Sequence, residues 1–256
     1  PLADLSTISS KNFSQLQKIS DNLFSFADNI ASVNLKNNKI TNITGFDIQN
    51  LVSSATINEG SNLIFYQNGL MQKFDPTSNT LQDLSTLDSA WKPAIDLQTY
   101  YNNIYLLSPK ENQIFKYSTL GGNDYSAAAG YLNNPNDIDL GNATSIAIDG
   151  LVYLLKKDGT VSKFVKGDKE EYQLKDIPEP YSQLANPTQI YTEEELDYLY
   201  VADPENKRII VFNKEDGSYS KQFVSEDLGT ITNFTVNSKI NTIYILSDNK
   251  IYTAGL

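Results

Sequence analysis

The sequence predicts an all-β chain, a single six-bladed β-propeller of four-stranded antiparallel blades, on three observations. A short apolar burst recurs six times at near-constant spacing. Turn-forming residues and an alternating strand follow the bursts. Further β-rich runs precede and follow these units, giving four strands in each repeat of about 40–50 residues, the size of a propeller blade.

The bursts carry the repeat. They are Leu23-Phe24-Ser25-Phe26, Leu63-Ile64-Phe65-Tyr66, Ile104-Tyr105-Leu106-Leu107, Val152-Tyr153-Leu154-Leu155, Leu199-Tyr200-Val201-Ala202 and Ile243-Tyr244-Ile245-Leu246. Hairpin chemistry comes next in Gln67-Asn68-Gly69, Lys157-Asp158-Gly159, Asp203-Pro204-Glu205-Asn206 and Ser247-Asp248-Asn249, because Gly, Asn and Asp tolerate the backbone of tight turns. The third strands alternate, as in Met71-Gln72-Lys73-Phe74 and Val161-Ser162-Lys163-Phe164. First strands are expected at Ala94–Leu97, Ser145–Ile148 and Phe234–Val236, and fourth strands at Tyr172-Gln173-Leu174 and Tyr219–Phe223. Phe13–Ile19 is read as the first strand of the first blade.

The last repeat stops after its third strand, at Ile251–Leu256, and so lacks an outer one. Leu2-Ala3-Asp4-Leu5-Ser6-Thr7-Ile8 echoes Leu81-Gln82-Asp83-Leu84-Ser85-Thr86-Leu87, which occupies an outer-strand slot. Residues 2–8 are therefore expected to pair with the C-terminal blade, closing the ring and covering a free edge. The expected division is a closing strand in 1–10 and blades at about 11–47, 48–88, 89–134, 135–178, 179–226 and 227–256. The start, Pro1-Leu2-Ala3-Asp4, has neither an initiator Met nor a signal-peptide layout, and is read as the edge of a domain with another domain upstream.

Composition excludes whole classes of chemistry. The 256 residues include no His and no Cys, which removes imidazole bases, thiol nucleophiles, disulfides and the usual zinc sites. A formal net charge of −11 disfavours nucleic acid and favours cationic partners. No stretch approaches the roughly 20 apolar residues that a membrane span needs.

One repeat carries a sharper pattern. Asn186-Pro187-Thr188-Gln189-Ile190, followed by Leu199-Tyr200-Val201-Ala202-Asp203-Pro204-Glu205-Asn206-Lys207-Arg208-Ile209-Ile210-Val211-Phe212, resembles the NHL-type propeller repeat. That pattern runs Pro-x-Gly-Ile, Tyr-Val-Ala-Asp and Asn-x-Arg-Ile-x-Val-Phe. Asp203, Asn206 and Arg208 match it, and Ala143–Tyr153 matches its opening half. The resemblance implies that Arg208, the chain's only arginine, is a structural fork paired with a carboxylate such as Asp203. It also implies a sensor or interaction propeller attached to a signalling or membrane-bound protein, here an extracytoplasmic part of a bacterial membrane-associated protein.

Two candidate sites follow. Relatives of this architecture include calcium-dependent lactonases and arylesterases, and calcium takes oxygen ligands without His. The densest oxygen-rich run, Asn133-Asn134-Pro135-Asn136-Asp137-Ile138-Asp139, makes Asn136, Asp137, Asp139 and Asp149 the candidate metal ligands, although Asn, Asp and Pro are equally what loops are made of. The connections between blades carry aromatics beside acids: Trp91 with Asp88, Tyr181 with Glu179, and Tyr131. Rigid aromatics next to carboxylates suit sugars or basic peptides; packing between blades is the competing use of the same rings. The sequence thus favours a non-catalytic recognition or sensor module. It would bind a peptide, protein or glycan at the loop face, without a cofactor, nucleic acid or direct membrane insertion. A calcium-dependent lactonase-like hydrolase and a ligand-free scaffold are the alternatives.

Overall fold

The computed structural model describes residues 1–46, 48, 50–57, 61–66, 71–84 and 93–256, with only the backbone described at 61 and 63–66. The expected turn at Gln67-Asn68-Gly69 and the candidate residues Asp88 and Trp91 lie outside the described residues. Among the described residues the strands pair into six four-stranded antiparallel sheets and one two-stranded sheet. No described helix is long and apolar enough to cross a membrane. The chain divides into two compact units, 1–85 with 228–256, and 86–227.

The first unit holds three sheets. Sheet 1 runs Ser14–Ile19, Asn22–Phe26, Ile30–Asn34 and Ile40–Ile43, and sheet 2 runs Leu51–Ile57, Ser61–Tyr66, Met71–Asp75 and Thr80–Asp83. Sheet 6 consists of Ile231–Asn237, Thr242–Ser247 and Lys250–Gly255, with Ala3–Asp4 as its fourth strand. The N-terminal pairing sets Ala3 opposite Ile251 and Asp4 opposite Lys250. It is shorter than the expected 2–8, because Asp4 caps a 3-10 turn at Leu5–Thr7 by accepting the Ser6 N–H. Leu5 buries completely in a core shared by sheets 1 and 6, beside Phe13, Leu23 and Leu246.

The second unit also holds three four-stranded sheets. Sheet 3 is Asp96–Tyr100, Asn103–Ser108, Gln113–Tyr117 and Ala129–Gly130. Sheet 4 is Ala143–Ile148, Val152–Lys156, Val161–Val165 and Asp168–Glu170. Sheet 5 is Gln189–Tyr191, Tyr198–Asp203, Arg208–Asn213 and Tyr219–Val224. A small hairpin, Thr119–Gly121 with Asp124–Tyr125, interrupts sheet 3 before its fourth strand.

The bursts are apolar at every position but Ser25, because a strand between two neighbouring sheets is buried on both faces. In sheet 4, Val152 and Leu154 enter the core shared with sheet 3, while Tyr153 and Leu155 enter the core shared with sheet 5. One fourth strand departs from expectation. Tyr172-Gln173-Leu174 is not the outer strand of sheet 4; Asp168–Glu170 is, pairing with Lys163–Val165. Tyr172 and Leu174 instead pack against the sheet 4–sheet 5 core. Their segment crosses to sheet 5, where the Lys175 N–H donates to the Gly217 carbonyl at 2.9 Å.

That crossing dictates a glycine. A Cβ on Gly217, whose φ is +72°, would stand 2.1 Å from the Gln173 carbonyl oxygen, so only a bare Cα admits the strap. Sheet 4 repeats the device at Gly167, φ +90°, beneath the Tyr131 carbonyl. The Asn133 N–H there donates to the Gly167 carbonyl.

Candidate binding site

Arg208 opens the third strand of sheet 5 and is fully buried, 1% exposed, beside Asp203 at 0%. A buried guanidinium needs partners for its charge and its donors. Nε donates to Asp203 Oδ2 at 2.7 Å, and Nη1 to Gln222 Oε1 at 3.1 Å. Nη2 donates to the backbone carbonyls of Tyr181 at 2.9 Å and Gln183 at 3.1 Å. Asn206 completes the group, donating to Asp203 Oδ2 at 2.8 Å and the Gln183 carbonyl at 3.3 Å, while Asp203 Oδ1 accepts the Ala185 N–H. The motif therefore clamps the segment entering sheet 5. The Tyr181 ring is left 54% exposed, with the guanidinium carbon 5.9 Å from its centroid. Glu179 is exposed two residues earlier on the same connection.

Tyr131 is differently placed. Its ring packs edge-on against Tyr105 at 5.9 Å and joins the sheet 3–sheet 4 core, where burial raises its phenol pKa. The four candidate metal ligands divide. Asn136 and Asp137 are exposed within a 3-10 turn at Pro135–Asp137, and the exposed Asp139 accepts the Gly141 N–H at 2.8 Å. The surrounding carbonyls serve the fold: Asn112 donates to those of Pro135 and Ile138 at 2.6 and 2.7 Å. Asp149 lies beyond the far end of the Ala143–Ile148 strand, a length of roughly 20 Å. Among the described residues no group of three or more Asp, Glu, His or Cys side chains could hold a metal ion.

Asp149 instead belongs to a constellation that sequence reasoning did not single out. Its Oδ2 lies 2.7 Å from Lys214 Nζ, both side chains largely buried. Lys214 also donates to the Glu193 carbonyl at 3.0 Å. The next residue, Gly150, sits under Tyr100, whose hydroxyl would be 3.1 Å from an added Cβ. Tyr100 and Tyr101 stack edge-on at 4.6 Å and both donate to Glu194 Oε2, at 3.5 and 3.2 Å. Burial, with the Glu194 carboxylate behind it, pushes the Tyr100 phenol up to about 12. Turns of three successive sheets thus meet at one point. Beside them opens a cleft of about 590 Å³ between sheets 4 and 5, its lining including Asp149, Lys163, Asp197, Lys214, Glu215 and Asp216. The contacts that join the three sheets link residues 50 to 94 apart in sequence, beyond the reach of any local pattern; the one legible signal was the acidic turn Glu193-Glu194-Glu195.

Comparison with solved structures decides the architecture. Virginiamycin B lyase from Staphylococcus aureus superposes with a TM-score of 0.59 at 14% identity, over 99% of this chain and 87% of that one. The fold is a β-propeller. A second propeller neighbour comes from the nidogen/laminin complex, with a TM-score of 0.62 at 11% identity over 84% of this chain and 81% of that one. A third is a catalytically inactive His-to-Ala variant of the same lyase with quinupristin, with a TM-score of 0.60 at 15% identity over 99% and 87%. No protein-family model and no curated protein sequence matches this propeller.

Proposed function

We propose that the chain is a non-catalytic recognition propeller of NHL-type design. Its six sheets would be the blades of one ring closed by the N-terminal strand. The binding surface would be the loop face that carries Tyr181 and Glu179, and the ligand a peptide, protein or glycan. The observation that carries this reading is the clamp beneath Tyr181. A buried Arg208 fixes the backbone of the loop while its aromatic ring stays exposed, so the ring is presented with little conformational entropy left to lose on binding.

Two further points support recognition over catalysis. The lyase neighbour is described as inactive once a histidine becomes alanine, and this chain has no histidine. The nidogen/laminin neighbour comes from a protein–protein complex. Fold alone assigns neither role.

The test is a glycan and peptide array screened with the full chain and with Tyr181→Ala. Isothermal titration calorimetry then measures the affinity of each hit for both proteins. Hits lost in Tyr181→Ala at an unchanged unfolding midpoint would support the reading. Hits indifferent to Tyr181→Ala and Glu179→Gln, or no hits at all, would overturn it.

A further inference from the structure

The opposite end of the second unit's sheets carries a separate surface. Arg208 lies at the turn between the second and third strands of sheet 5, and Tyr181 on the connection that enters the first strand of that sheet. Tyr101, Asp149, Glu194 and Lys214 lie at the turns between first and second, or third and fourth, strands. The inference drawn from this end is independent of the reading at Tyr181.

Three features coincide there. The first is concavity, the cleft of about 590 Å³. The second is an aromatic platform: Tyr101 is 70% exposed, yet its ring is held against Tyr100 and its hydroxyl against Glu194. The third is a charge balance left open. Both lysines of the cleft are occupied, Lys214 by Asp149 and Lys163 over the Tyr172 ring at 5.5 Å. Asp216 is held by Lys175 at 3.0 Å. Asp197 and Glu215 line the same cleft, exposed, and among the described residues neither has a basic partner. They are neighbours across the sheet 5 turns, since the Lys214 N–H donates to the Asp197 carbonyl at 3.0 Å.

We propose that this cleft and the adjoining Tyr101 platform bind a basic peptide segment. One Lys or Arg side chain would enter between Asp197 and Glu215, and a second would lie on the Tyr101 ring. Carboxylates complement the charge, and an aromatic face attracts an ammonium or guanidinium group. Lys214 against Asp149 shows that the same end of the sheets already holds an ammonium group in place.

The test uses the full chain and a fluorescein-labelled octapeptide of alternating Lys and Ala, with alternating Glu and Ala as the negative control, read by fluorescence anisotropy. Binding of the Lys peptide is expected with Kd of about 10–100 μM in low salt. The double variant Asp197→Asn/Glu215→Gln is expected to weaken it about tenfold and Tyr101→Ala about threefold. The control double variant Glu111→Gln/Glu226→Gln removes the same charge from exposed positions outside the cleft. If that control weakens binding equally, the attraction is merely that of the net charge and the proposal fails. It fails equally if the Lys peptide does not bind, or if the Asp197/Glu215 variant binds as before while remaining folded by circular dichroism.

Discussion

The Asp96 carboxylate of sheet 3 accepts the backbone N–H of Ile146 in sheet 4 at 2.8 Å, and the Ser145 hydroxyl at 2.9 Å. The first strand of each sheet is an edge, so alternate N–H groups have no ladder partner and need one from elsewhere. The same relationship recurs. Ser145 Oγ accepts the Ile190 N–H, Asn233 Oδ1 that of Leu16, and Gln15 Oε1 that of Ser54. Bulges at Ser14/Leu16, Leu51/Ser53, Ala143/Ser145 and Ile231/Asn233 shift the first-strand register at this level. Asp96→Ala should therefore cost about 1–3 kcal/mol by leaving a buried donor unmade, and Asp96→Asn less, because one acceptor remains. Urea unfolding measures both, and equal midpoints would show that the Ile146 N–H finds water.

Arg208 is bound on every side. Arg208→Met leaves Asp203 buried without a counter-charge and should cost about 3–5 kcal/mol. The double variant Asp203→Leu/Arg208→Met should lose less than the two single losses together, because it removes the stranded charge. A double-mutant cycle by chemical denaturation gives the comparison, and simple additivity would contradict the clamp.

Gly217 and Gly122 separate two reasons for glycine. Both have positive φ, but a Cβ on Gly122 meets nothing within 4 Å, whereas on Gly217 it meets the Gln173 carbonyl at 2.1 Å. Gly122→Ala should cost about 1–2 kcal/mol from backbone conformation alone. Gly217→Ala should cost at least about 2 kcal/mol more, because the strap must move. Thermal unfolding orders the two, and the reverse order would contradict the close approach.

Ser108 and Ser247 end the second strands of sheets 3 and 6, the ladder position that Asp203 holds in sheet 5. Both are fully buried, and among the described residues their hydroxyls have no hydrogen-bond partner. An unmade buried hydroxyl is a cost, so Ser108→Ala and Ser247→Ala should each stabilise by up to about 1 kcal/mol. A fall in the urea midpoint would reveal a bound water.

Alkali should unfold the protein through its tyrosines. Burial, with Tyr198 and Glu193 nearby, pushes the Tyr200 phenol up to about 12, and burial raises Tyr153 and Tyr172 as well. A raised phenol keeps its proton in the folded state while the unfolded chain ionises near 10. Stability is thus whole below about pH 10 and lost as pH rises through 12. Tyrosinate absorbance near 295 nm should rise together with unfolding. At the acid end, the Ser218 hydroxyl and N–H, with Lys175, hold Asp216 at about 2, so its contribution is present above about pH 4 and lost as pH falls through 2. Proton titration followed by NMR checks this directly, and Asp216→Asn should abolish it.

The elements legible in the sequence were those whose burial is set by their own residues. Second strands lie between two cores, so bursts such as Val152–Leu155 read as continuous apolar runs. Where burial and pairing part company, pattern misleads: Tyr172 and Leu174 are apolar because they pack on sheet 5, while the polar Asp168–Glu170 makes the ladder. A repeated signal went unused, since Asn112 and Asn249 directly precede third strands and each clips a distant segment of backbone.

By itself the sequence determined the repeat, the strand order and the partnership of Asp203 with Arg208, because spacing, turn chemistry and a five-residue separation are local properties. Only the tertiary structure decided which loops are clamped, which glycines must be bare, and that Tyr101, Asp149, Glu194 and Lys214 share one end of three sheets. Those contacts join residues up to 94 positions apart. Their energies depend on where the sheets bring each side chain, a distance in space that no periodicity along the chain records.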